Sequence, residues 1–467
     1  MTQQSATSPL ARLWRLPRVC IIGAGSSGIA AAKALYERGI PFDCFERGDR
    51  VGGNWVFQNS NGVSAAYRSL HINTSRDRMQ YRDYAMPSDY PDFPHHSLIA
   101  RYFEDYVDHF GFRQHITFAT TVERCARGAD GVYQVDIASA SGVRETRRYD
   151  ALMVCNGHHW DPRWPDPPFE GTLDGDEIHS HSYIDPDEPL ALRGKNVVVV
   201  GMGNSAMDIA CELGRADGAA RVFLSARRGA YVLPNYLLGR PLDQLGALPT
   251  WVDIRARVAL LRTIYRFTVG RVEDYGLPRP DHRIEQAHPT ISSELLPLLE
   301  KGRITPKPNI ERLDGPRVSF VDGSSELVDA AIYCTGYNVT FPFFEDTFIS
   351  APDNELPLFR RVFKPGLADV FFIGLCQPLG AVMPIAEAQS KWIADYLLGE
   401  YALPRLDEMQ RDIDEERDAM ARRYVTSSRH TMQVDFDDYL AALDKERERG
   451  AQRAAQQDGA LPVRALA

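Results

Sequence analysis

Runs of four or five consecutive apolar residues recur along this chain. Val19-Cys20-Ile21-Ile22, Ala151-Leu152-Met153-Val154-Cys155, Val197-Val198-Val199-Val200 and Phe371-Phe372-Ile373-Gly374-Leu375 present no polar residue to either face. Strands buried on both sides read this way, as in a parallel sheet covered by helices. Helical spacing fills the intervals. Residues 29–38 are rich in alanine, and residues 98–110 line up Leu98, Tyr102, Phe103, Tyr106 and Phe110 on one face as a core stripe. Residues 385–398 predict a further helix and residues 405–450 a charged helical tail. Residues 116–149 alternate between glycine breaks, as a small meander does. Residues 328–333 add another buried strand. Residues 235–300 lose the strand-helix rhythm and read as a largely helical insertion with proline breaks. The sum is an α/β protein.

Two of the apolar runs end alike. Gly23-Ala24-Gly25-Ser26-Ser27-Gly28 follows the first, and Gly201-Met202-Gly203-Asn204-Ser205-Ala206 follows the valine run. Between a strand and a helix, GxGxxG or GxGxxA is a dinucleotide-binding turn. Its first glycine makes the tight bend, the second lets backbone approach a pyrophosphate, and the third lets helix and strand pack closely. The pyrophosphate rests on the unpaired N–H groups of the helix start. Two such units predict two Rossmann-like domains, one inserted into the other. The expected boundaries are 18–165 for the first part of the outer domain, 170–325 for the inner domain with its insertion at 235–300, and 326–450 for the remainder.

The units differ where their second strands end. Glu46 closes the first, with Arg47 beside it. A carboxylate there accepts hydrogen bonds from ribose hydroxyls and repels a 2′-phosphate, so this site takes FAD, or NAD, but not NADP. The second runs out through Ser225-Ala226-Arg227-Arg228. Guanidinium groups match a 2′-phosphate in charge and in bidentate geometry, so this site is expected to prefer NADPH, with Arg227 and Arg228 both open as its reader. The expected first site is Gly23, Ala24, Gly25, Ser26, Ser27, Gly28, Glu46 and Arg47. The expected second site is Gly201, Gly203, Asn204, Ser205, Ala206, Asp208, Ser225, Arg227 and Arg228. Electrons would pass from NADPH to FAD. Gly53, Asn54 and Trp55, in Gly52-Gly53-Asn54-Trp55, are expected along the flavin.

Composition narrows the class. The chain has 467 residues, 44% hydrophobic and 25% charged, with a formal net charge of −10. That balance argues against nucleic-acid binding. No apolar run approaches the roughly 18 residues of a membrane span. Seven scattered cysteines without a CxxC pair fit free thiols in a reducing, cytoplasmic setting and supply no redox dithiol. His158-His159 and His179/His181 lack companion ligands, so no metal is expected. The first 18 residues carry Arg12, Arg15 and Arg18 and no acid, and read as a disordered lead-in.

Against this background the chain resembles the flavin-containing monooxygenases from about residue 19 to 398. GAGSSG and GGNW are similar to that family's FAD half. Ser69-Leu70-His71-Ile72-Asn73-Thr74-Ser75 is similar to the segment whose asparagine faces the flavin C4a region. Cys334-Thr335-Gly336-Tyr337 resembles the ATGY segment, and residues 374–385, with Gln377, resemble the late strand-to-helix turn. The identifying motif FxGxxxHxxx(Y/F) fits Leu173 to Tyr183, with leucine at its first position; Tyr183 stands where related Baeyer–Villiger enzymes usually carry tryptophan. The resemblance implies a C4a-hydroperoxyflavin that passes one oxygen atom from O2 to an amine nitrogen or a sulfide. Ketones would be the substrate in the Baeyer–Villiger alternative, and a non-oxygenating FAD/NADP sensor is the rival of another class. It assigns Asn73 the catalytic hydrogen bond, Ile72, Thr74, Thr335, Gly336 and Gln377 to cofactor contact, and His179 to the nicotinamide side or the linker. A homodimer is left open.

Overall fold

The computed structural model describes residues 15–237, 239–245, 254–286, 290–423 and 431–456. Two parallel sheets organise it. The first has six strands in the order Phe363–Lys364, Leu367–Phe372, Ala151–Val154, Val19–Ile22, Phe42–Phe45, Ile116–Thr117, all parallel except the Phe363–Lys364 edge. The second has five parallel strands, Asp176–His179, Ala330–Tyr333, Asn196–Val200, Arg221–Ser225 and Ile304–Lys307. In both, the glycine turn leaves the central strand where the order of connection reverses. That crevice at the carboxyl ends is where open α/β sheets bind ligands.

The apolar runs divide by alternation, as side chains on a pleated strand must. Val19 and Ile21 pack with Ala151, Met153 and the helices Ser26–Glu37, His96–Phe110 and Met383–Leu397. Cys20, Ile22, Leu152 and Val154 face the meander of Thr120–Arg127, Tyr133–Ser139 and Arg144–Tyr149. In the second sheet Val197 and Val199 meet the helix Asn204–Gly214, while Val198 and Val200 meet a four-stranded sheet containing Ile310–Gly315 and Arg317–Phe320. Each sheet thus has helices on one face and a small sheet on the other. The aromatic stripe of His96–Phe110 is core: Tyr102, Phe103 and Tyr106 are fully buried.

The strand at Ala330–Tyr333 corrects one expected boundary. It pairs with Asn196–Val200, so the inner unit continues past 325 to Tyr333. Among its described residues the insertion is mainly helical, with Leu242–Leu245, Ile254–Thr268 and Leu295–Glu300. It also holds the pairing of Tyr236–Leu237 with Arg240–Pro241, and its Thr290–Ile291 pairs with Val232–Leu233 just before it. The tail contains helices Leu406–Arg423 and Phe436–Ala455, and between them the strand Gln433–Asp435 pairs with Gln377–Leu379. At the other end the lead-in is shorter than read. Arg15 holds Asp150 through two hydrogen bonds, and Arg18 reaches Asp43; Arg12 lies outside the described residues. Among the described residues no helix is long and apolar enough to cross a membrane. The seven cysteines are free.

Candidate functional site

The first turn leaves no room for side chains. Gly23 sits at φ +99°, and a Cβ there would stand 2.7 Å from the Cys155 carbonyl oxygen. A Cβ on Gly28 would stand 1.8 Å from the Gly23 oxygen, so close packing of helix on strand demands glycine. Gly25 begins the helix Ser26–Glu37 without a side-chain cap, and its Cβ would come 3.6 Å from the Cα of Gly53. Two glycine turns therefore face each other with only backbone between them, and the first N–H groups of the helix stay available to an anion. Glu46 is 4% exposed. Its Oε2 accepts from Ala24 N and its Oε1 from Gly48 N, both at 2.7 Å. Each oxygen keeps acceptor capacity for a ribose hydroxyl. This arrangement fits the adenosine and pyrophosphate of FAD. Arg47 is exposed beside it. Asn54 turns inward: its Oδ1 accepts from Ala65 N at 2.7 Å, so it shapes the turn. Trp55 is half-buried against the core.

The second turn repeats the first. Gly23 N donates to Phe45 O at 2.8 Å, and Gly201 N to Ser225 O at 2.9 Å. Gly201 sits at φ +133°, with its missing Cβ 2.7 Å from the Cys334 carbonyl oxygen. Gly203 starts the helix Asn204–Gly214, again without a side-chain cap, and Ala206 is buried at the place of Gly28. Because Phe45 and Ser225 correspond, Ala226 stands at the place of Glu46 and Arg227 at that of Arg47. No carboxylate closes this ribose position. Arg227 is exposed. Arg228 forms a bidentate pair with Asp281 at 2.8 and 3.1 Å, which leaves Arg227 the better candidate for the phosphate.

Two expected residues of this site are used elsewhere. Ser225 is fully buried and its hydroxyl donates to Pro308 O at 2.7 Å. Asp208 accepts a hydrogen bond from Tyr67 of the first domain. Nearby, the Tyr183 hydroxyl donates to Glu212 at 2.9 Å. Asp208 thus belongs to the seam between domains, and burial pushes its carboxyl up to about 6. The turn itself is braced by the insertion: Asn204 Oδ1 accepts from Ile291 N at 3.1 Å and Thr290 Oγ1 donates to Met202 O at 2.7 Å.

Thr335 and Gly336 follow Ala330–Tyr333 and Cys334, whose carbonyl oxygen stands against Gly201. Their counterparts on the flavin side are Asn156 and Gly157, which sequence reasoning passed over. The signal was present as a repeat, Cys155-Asn156-Gly157 and Cys334-Thr335-Gly336 after apolar strands. A small pocket opens there, lined by Asn156, Gly157, His158, Phe341 and Phe372 among others.

The 69–75 loop runs along the seam. Ile72 is core. Thr74 Oγ1 donates to Gly380 O at 3.4 Å, and Ser75 N to Asp243 of the insertion at 2.7 Å. Asn73 between them has an exposed side chain. Asp243 was not foreseen; no motif marks it. Gln377 is half-buried, and its backbone N–H donates to Met432 O at 2.7 Å. His179 Nδ1 accepts from His181 N at 3.1 Å, and its ring meets Tyr337. Burial pushes His179 down to about 4, so it is neutral near pH 7. Among the described residues no group of three or more potential ligands could hold a metal.

Residues 16–449 match the family model described as flavin-binding monooxygenase-like. The chain is 36% identical to flavin-containing monooxygenase 5 of Rattus norvegicus over 443 residues, 91% of this chain and 82% of that protein. It is 34% identical to dimethylaniline monooxygenase [N-oxide-forming] 2 of Rattus norvegicus over 445 residues, with the same coverage. Among solved structures, S-allyl-L-cysteine S-oxygenase from Allium sativum superposes with a TM-score of 0.69 at 25% identity, covering 95% of this chain and 93% of that one. Open cyclohexanone monooxygenase shares the fold, with a TM-score of 0.68 at 18% identity over 94% and 98% of the two chains.

Proposed function

The chain belongs to the flavin-binding monooxygenase-like family and is an FAD- and NADPH-dependent monooxygenase, and from that premise we propose that it passes one oxygen atom of O2 to a soft heteroatom, an amine nitrogen or a sulfide sulfur. The contrast between Glu46 at one ribose position and Ala226-Arg227 at the other carries the assignment of FAD to the first turn and NADPH to the second. The relative named for N-oxide formation and the neighbour named as an S-oxygenase support the heteroatom. So does Tyr183, fixed by Glu212 where Baeyer–Villiger relatives usually carry tryptophan.

Bound flavin, once reduced by NADPH, supplies activated oxygen. The chain supplies position. Gly23, Ala24, Gly25, Ser26, Ser27 and Gly28 seat the flavin pyrophosphate, and Glu46 takes its adenosine ribose. Gly201, Gly203, Asn204, Ser205 and Ala206 seat the nicotinamide dinucleotide, and Arg227 takes its 2′-phosphate. Asn73, exposed in the 69–75 loop, would supply the hydrogen bond that steadies the oxygen being transferred. We assign residues 18–165 and 334–450 to the flavin domain and 170–333 to the NADP domain. The free thiols suit the cytoplasm.

Incubating the FAD-loaded protein with NADPH, O2 and either a thioether or a cyclic ketone tests this. Sulfoxide without lactone is expected; lactone without sulfoxide would replace the heteroatom reading with Baeyer–Villiger chemistry.

A further inference from the structure

We propose that Arg163, in the connector between the two domains, is a second cation of the NADP phosphate site and binds the pyrophosphate while Arg227 binds the 2′-phosphate. The inference rests on the reading of the second turn as the NADP site.

The connector is fastened to that turn. Asp161–Pro162 pairs antiparallel with Tyr337–Asn338, Arg163 N donates to Gly336 O at 2.9 Å, and the Thr335 hydroxyl donates to Arg163 O. The guanidinium follows the same path. Its Nε and Nη2 donate to Thr335 O at 3.3 and 3.1 Å, and Nη2 lies 3.4 Å from where a Gly336 Cβ would stand. Thr335 and Gly336 in turn follow Cys334, whose carbonyl oxygen presses on Gly201. A half-buried cation is therefore held at the rim of the dinucleotide turn, on the side opposite the Arg221–Ser225 strand end.

Burial, and after it the charge of Arg227, pulls the Arg163 guanidinium below its usual value. Like charges repel, and an anion between them relieves that repulsion. The first unit is built differently. There Asn156, the counterpart of Thr335, donates its amide to Thr340 O at 3.0 Å.

The test is binding to the FAD-loaded, full-length protein, measured by titration calorimetry with NADP+ and with NAD+. Both carry the pyrophosphate, so R163Q should weaken both by a similar factor of about tenfold. R227Q should weaken NADP+ alone. R163K keeps the charge but loses the fork to Thr335, and should keep most of the affinity. An unchanged Kd in R163Q overturns the proposal. So does an equal loss in R163K and R163Q accompanied by a lower Tm, because Arg163 would then only be holding the 335–336 turn. If wild-type protein fails to bind NADP+ at all, the reading of the second turn falls instead.

Discussion

The two nucleotide units of this chain share a backbone and differ in the residue that follows the second strand. The first glycine N–H, the strand-end carbonyl it finds and the cysteine carbonyl that forbids a side chain recur within a few tenths of an ångström. Glu46 in one and Ala226-Arg227 in the other are what separate them. A turn of this kind seats a pyrophosphate, and on the proposed reading one side chain beyond the second strand decides which ribose, bare or phosphorylated, the site accepts.

Substitutions can break or sharpen that contrast. The largest effect is expected at the third glycine. Gly28→Ala places a Cβ 1.8 Å from Gly23 O and should give protein without bound flavin, read from the ratio of visible to ultraviolet absorbance. Ala206→Gly, at the matching place, should leave NADPH affinity within about twofold and cost about 1 kcal/mol of stability. Next, Glu46→Gln removes the charged acceptor of two backbone N–H groups. FAD should bind about tenfold or more weakly by fluorescence titration, with NADPH affinity unchanged. Asn73→Ala is expected to keep flavin content but to release severalfold more hydrogen peroxide per NADPH consumed; unchanged coupling removes Asn73 from the chemistry.

The smallest effect concerns the acids of the inner unit. Asp208 is raised to about 6 by burial, so the folded protein holds its proton more tightly than the unfolded chain does. Its contribution to stability is greatest below about pH 4 and is lost as pH rises toward 6. Asp281, drawn down to about 2 by Arg228, has the opposite sign: its contribution is present above about pH 4 and lost as pH falls toward 2. Asp281 is exposed, which tempers the size of its contribution. In thermal melts Asp208→Asn should gain a few degrees at most on wild type between pH 4 and 6, and Asp281→Asn should lose its deficit as the pH is lowered.

The glycine turns, the helices after them and the acid at Glu46 were legible because each is a local demand: a sharp bend, a close approach, a charge at a strand end. What could not be read was which sheet an apolar strand joins. Residues 330–333 look the same whether they extend the outer sheet or the inner one, since burial on both faces erases any face-specific pattern. The same holds for partners set by tertiary contact. Asp208 looked like part of a phosphate site and proved to be the acceptor of Tyr67 across the domain seam. Arg227 and Arg228 are adjacent in sequence, and only Asp281, brought in by the insertion, separates their roles.

The account stands most directly on the Kd ratio of NADH to NADPH, measured on the FAD-loaded protein before and after Arg227→Ala. We predict that wild type favours NADPH by about tenfold or more and that the variant loses most of this preference by weakening NADPH alone. A ratio unchanged by the substitution, or a wild type indifferent to the 2′-phosphate, would contradict it.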